Sequence, residues 1–112
     1  MKYRTKLFAI RIIRLVESLP KERTEDVIGK QLLRSGTSVG ANYRAACRAK
    51  STADFVYKMG IVEEETDESL YWMEILIEAK IMVSKKLEPL MKEANELLAI
   101  TVTSIKTAKK TR

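Results

Sequence analysis

The sequence contains no histidine. That absence removes Ser-His and Cys-His catalysis, His-ligated haem and the Glu-x-x-His di-iron sites of ferritin-like bundles. The single cysteine, Cys47, can form neither an internal disulfide nor a structural zinc site. Glycine (4) and proline (2) are scarce, which argues against an all-β domain with its many turns. No stretch approaches the roughly 18 apolar residues of a membrane span. The N-terminal region lacks a long uncharged apolar core and a small-residue cleavage site, so no signal peptide is expected and a cytoplasmic location follows. These absences together favour a protein that is not an enzyme and that holds no metal or cofactor.

What is present is one domain's worth of chain, residues 1–112, with 46% apolar and 32% charged residues, a globular balance. Lys and Arg number 21 against 15 Asp and Glu, a net charge of +6. Pro20 ends a first segment, and Thr24 opens a second, with Glu25 and Asp26 at the positive end of the helix dipole. Ser51 and Asp54 have the spacing of a capping box, with Asp in place of the usual Glu. A third segment runs without Gly or Pro from Ile61 to Ser84, and Pro89 marks the first turn of a fourth. The pattern predicts helices at about 4–18, 24–48, 53–83 and 87–108, joined by short connections into an all-α, antiparallel up-down four-helix bundle. The tail from Lys106 to Arg112 is expected to fray.

Helical spacing assigns the faces. Phe8, Ala9, Ile12, Ile13, Leu15, Val16 and Leu19 share a broad apolar arc on helix 1, with Arg4, Arg11 and Arg14 opposite. Helix 2 has a core stripe from Ile28 to Cys47, Cys47 reading as a small buried hydrophobe. Lys30, Arg34, Arg44 and Arg48 recur on another face. Helix 4 turns Leu87, Leu90, Ala94, Leu97 and Ile105 inward. Helix 3 carries two stripes. Phe55, Met59, Val62, Thr66, Leu70, Met73 and Ile77 form one; Ile61, Trp72, Ile75, Leu76 and Ala79 form the other. A monomeric bundle needs only the first, so the second is expected to be an oligomer interface, received by the broad arc of helix 1 on another copy.

Charge is segregated too: residues 51–84 carry −6, against +5, +3 and +4 for residues 1–23, 24–50 and 85–112. The tight turn near residues 49–52 sets helices 2 and 3 antiparallel, which brings Arg34 near Asp67 and Glu68 as a structural salt bridge. Arg11, Arg14, Lys30, Arg44, Arg48 and Lys50 then remain as candidates for nucleic-acid binding through phosphates. The basic stripe of helix 2 has no interleaved aromatics, which favours duplex or structured RNA over stacked single strands. Ser35-Gly36-Thr37-Ser38-Val39-Gly40 resembles a phosphate loop in composition only; Gly36 and Gly40 more simply admit a close helix. Glu63, Glu64, Glu65, Asp67 and Glu68 raise the alternative of a metal-dependent nucleotide hydrolase, but helix 4 lacks a second paired-acid motif. A third alternative is a protein-interaction scaffold with an acidic partner and no nucleic acid.

Residues 31–42, QLLRSGTSVGAN, are followed by Tyr43-Arg44-Ala45-Ala46 and Arg48-Ala49-Lys50-Ser51, then by Asp54-Phe55 and by residues 61–76, IVEEETDESLYWMEIL. These blocks resemble the bacterial four-helix-bundle family encoded in intervening sequences of 23S ribosomal RNA genes. That family in turn looks related to the accessory variability proteins of diversity-generating retroelements. The resemblance implies a homopentameric ring, a basic surface for nucleic acid and, for the retroelement relatives, a reverse-transcriptase partner. It implies no catalytic residue.

Overall fold

The structure is a computed structural model and describes residues 1–111. It consists of four helices: α1 (Lys2–Glu17), α2 (Arg23–Cys47), α3 (Thr52–Glu78) and α4 (Ser84–Thr111). They form an antiparallel up-down bundle measuring 48 × 20 × 20 Å. Consecutive helices pack along their lengths, whereas α1 and α4 touch over a short stretch only. The core is Phe8 and Ile12 from α1, Leu32 and Val39 from α2, Met59, Val62, Met73 and Leu76 from α3, and Leu87 and Leu97 from α4, all fully buried.

Several boundaries differ from the sequence pattern. Thr24 is not the cap of α2, which starts at Arg23 after Glu22 and has no side-chain cap. The Ser51 hydroxyl does cap α3, accepting from the Asp54 N–H at 3.0 Å. The Asp54 carboxylate returns not to Ser51 but to the Lys50 N–H, at 3.3 Å. α3 ends at Glu78, five residues before the expected stop at residue 83. There the Ile81 N–H bonds the Leu76 carbonyl and the Lys80 N–H bonds that of Ile77. This is a Schellman closure, with Lys80 at φ 59° where glycine is usual. α4 starts at Ser84 rather than residue 87, so Pro89 lies in its second turn, on the exposed side, where water can take the carbonyl it leaves unbonded. The expected fraying is absent to Thr111, where helix persists; Arg112 lies outside the described residues.

Two burial expectations also change. Cys47 is exposed. Thr5 of α1 packs against Gly40 of α2, so α1 begins too far along α2 to cover its last turn. Leu76 is fully buried in its own bundle and is not a surface residue. It stands at the border between the two stripes of α3, and the chain reversal after it packs Ile81 and Met82 on the same core.

Candidate nucleic-acid interface

α2 meets α1 across a row of glycines. A Cβ on Gly36 would stand 2.7 Å from Ile12 Cγ1, and one on Gly40 would stand 3.2 Å from Thr5 Oγ1. Gly29 faces Val16 in the same way, at 3.2 Å. Glycine lowers helix propensity by about 1 kcal/mol each. The return is a close α1–α2 approach that buries Ile12 completely.

Beside this seam lies a groove of about 440 Å³. Its floor is made of small residues, Thr5 and Ala9 from α1 and Thr37, Gly40 and Ala41 from α2. Lys2, Lys6, Arg44 and Arg48 line its sides, together with Tyr3. No acidic residue lines it. Among the described residues none of these four cations takes part in an ion pair. α1 adds charge of the same sign through its own geometry: its first turn has no acid and no side-chain cap, so the positive end of its dipole is not offset.

The structure therefore divides the six basic candidates. Arg44 and Arg48 meet in the groove. Arg11 is partly buried on the α4 side, where its charge helps to keep the Glu93 carboxylate ionised. Arg14 and Lys30 are exposed outside the groove, and Lys50 lines a separate depression at the α2–α3 turn with Cys47. Sequence reasoning missed Lys2, Tyr3 and Lys6. The available signal was Lys2 and Lys6, one turn apart on a helix whose first turn carries no acid.

On its other flank α2 is tied to α3 by charge. Arg34 Nη1 reaches Glu65 at 3.0 Å, and Arg34 Nη2 bonds Glu68. Asp67, one of the two expected partners, is exposed and does not pair with Arg34; Glu65 takes that place because it lies one turn before Glu68 on the face toward α2. The Trp72 indole N–H donates to Glu68 at 3.1 Å. That bond, aided by Arg34 and opposed by burial, holds the Glu68 carboxyl below its ordinary range. Beneath this network the Ser35 and Ser69 hydroxyls lie 3.1 Å apart in the core. Among the described residues no three Asp, Glu or Cys side chains converge as a metal site would require.

The opening between α1 and α4 is bridged by Arg4, whose guanidinium reaches Glu93 at 2.7 and 3.0 Å and Glu96 at 2.9 Å. Arg4 is the main influence holding the Glu93 carboxyl below its ordinary range. Of the residues expected at an oligomer interface, Trp72 and Ile75 are partly buried against their own core, Ile61 is half-buried, Ala79 is exposed and Leu76 is internal. The outer face of α1 carries more exposed apolar surface, at Tyr3, Leu7, Ile10 and Ile13. No helix among the described residues is long and apolar enough to cross a membrane.

Comparison with known proteins gives a fold and a family. A crystal structure of a protein of unknown function from the S23 ribosomal protein family of Bacteroides thetaiotaomicron is 39% identical and superposes with a TM-score of 0.88. The similarity covers 94% of this chain and 97% of that one. No curated protein matches the chain. The sequence model of the 23S rRNA-intervening sequence protein matches residues 2–103, and the chain therefore belongs to that family.

Proposed function

We propose that this chain is a non-enzymatic oligomeric adaptor that binds nucleic acid, RNA or DNA, through the basic groove between α1 and α2. One observation carries the reading: Lys2, Lys6, Arg44 and Arg48 share one groove with no acidic neighbour in its lining and, among the described residues, no ion pair of their own. Cations left in this state are suited to phosphates, which they neutralise without reading sequence. One such groove is a weak site. Copies in a ring would multiply it, since linked weak contacts raise overall affinity without any new contact.

Self-association is supported by two unlike apolar patches, Leu7, Ile10 and Ile13 on α1 and Ile61, Trp72 and Ile75 on α3. Contacts between unlike patches close into rings or run on as filaments. The resemblance to the accessory variability proteins of diversity-generating retroelements supports a ring of five and a reverse transcriptase as protein partner; the sequence reading above supports a cytoplasmic setting.

The test is binding of the purified protein to duplex DNA and to structured RNA over a salt series, with its native mass measured in parallel. Four phosphate contacts per groove give a log–log salt slope of roughly −3.6 on duplex DNA. The native mass should be a multiple of the monomer, and Trp72→Lys should give smaller species with helicity retained. Absence of binding at low salt contradicts the nucleic-acid reading. A preference for polyglutamate over nucleic acid would favour the acidic-protein scaffold instead. A wild-type monomer at micromolar concentration contradicts the ring.

A further inference from the structure

Tyr3 has no structural reason to be aromatic. It is 76% exposed, the most exposed of the large apolar side chains, and lies away from Phe8 and Ile12, which face the core. Yet it lines the basic groove, with Lys2 and Lys6 beside it and Arg44 and Arg48 across on α2. The stacking group missing from the basic stripe of α2 is thus supplied by the neighbouring helix.

The floor narrows the ligand further. The Thr5 hydroxyl donates to the Lys2 carbonyl at 3.2 Å, and the Thr37 hydroxyl to the Leu33 carbonyl at 2.7 Å. Ala9, Gly40 and Ala41 bring no polar side chain. With both hydroxyl protons committed, the floor offers contact surface without a free side-chain donor, so it cannot read a base edge as a donor-lined site would. The groove is a small concavity of about 440 Å³, open to solvent and in the size range of small-molecule sites. An aromatic ring also stacks only on a base whose face is free, and within a duplex both faces are covered by neighbouring pairs.

The geometry points to an unpaired segment of nucleic acid as the ligand of this groove: Tyr3 stacks on an exposed base while Lys2, Lys6, Arg44 and Arg48 hold the flanking phosphates. This rests on the nucleic-acid reading above and specifies its substrate class as single-stranded, with little dependence on sequence. It reverses the preference for duplex that helix 2 alone suggests.

The experiment is fluorescence anisotropy with a short labelled oligothymidylate, the same oligonucleotide annealed to its complement, and polyglutamate, at low salt. The proteins are the wild type, Tyr3→Ala and Tyr3→Phe. At 76% exposure the ring can be removed without disturbing the core. The single strand should bind more tightly than the duplex. Tyr3→Ala should weaken single-strand binding about tenfold, the loss of one base–aromatic stack, and leave duplex binding unchanged. Tyr3→Phe keeps the ring and should keep the affinity. Equal or tighter duplex binding, or Tyr3→Ala without effect on the single strand, overturns this inference and leaves nucleic-acid binding standing. If neither oligonucleotide binds, or polyglutamate binds as well as the single strand, both readings fall.

Discussion

α2 shows its neighbours two different flanks. Toward α3 it presents Arg34, which is answered by Glu65 and Glu68, with Trp72 bonded to Glu68 and the Ser35 and Ser69 hydroxyls meeting beneath. Toward α1 it presents Gly29, Gly36 and Gly40, and beside them Arg44 and Arg48, which take part in no ion pair among the described residues. The same residue type therefore does two jobs on one helix. Arg34 is paired across the α2–α3 seam because α3 places Glu65 and Glu68 opposite it. Arg44 and Arg48 lie where α1 brings further cations, Lys2 and Lys6, so α1 does not offset their charge. A basic side chain is interpreted by what the adjacent helix places opposite it.

That contrast can be broken in order of expected effect. Leu76→Ala should cost about 2–5 kcal/mol in unfolding, because the side chain is fully buried in its own bundle. A loss that varies strongly with protein concentration would instead return Leu76 to an interface between copies. Gly36→Val should cost about 1–3 kcal/mol by forcing α1 away, since even a Cβ there meets Ile12 at 2.7 Å. A neutral result would mean that the glycine row does not set the α1–α2 distance. Arg34→Ala should cost at most about 1 kcal/mol, because the guanidinium side chain is 49% exposed and water screens the pair. Chemical denaturation checks all three.

The charged flank is also the one that should respond to acid. The Glu68 carboxyl lies below its ordinary value of 4.5 in the folded chain, through Trp72 first and then Arg34. A depressed folded value means that its contribution is complete above 4.5 and is lost as the pH falls through the folded value. Glu68→Gln should therefore flatten part of the acid limb of a stability-versus-pH curve. An unchanged limb would separate Glu68 from the acid response. No acidic or histidine side chain lines the groove on the other flank, so no matching acid response is expected there.

The sequence makes the charged flank easier to read than the groove. A tight turn near residues 49–52 fixes how α2 faces α3, and from that alone Arg34 falls opposite the acids around Glu68. The turn places the register only to within about one turn, so the sequence points to Asp67 where the structure pairs Glu65. The end of α3 was hidden for a different reason: the left-handed residue is Lys80, so no glycine marks the stop. Leu76 reads as a surface residue in the sequence because its burial, at the border of two stripes, depends on the reversal that follows it. The groove required the α1–α2 crossing itself. Only when Thr5 is set against Gly40 do Lys2, Tyr3 and Lys6 come alongside Arg44 and Arg48.

The most direct test of the account compares salt-dependent binding of a short single strand by three proteins: the wild type, Arg34→Glu and the double variant Arg44→Glu/Arg48→Glu. The account predicts that reversing Arg44 and Arg48 abolishes binding and its salt slope at unchanged helicity. It predicts that Arg34→Glu lowers thermal stability and leaves the salt slope of the folded protein near that of the wild type. Wild-type affinity in the double variant, or loss of binding confined to folded Arg34→Glu, would contradict the assignment of the α1–α2 groove as the nucleic-acid site.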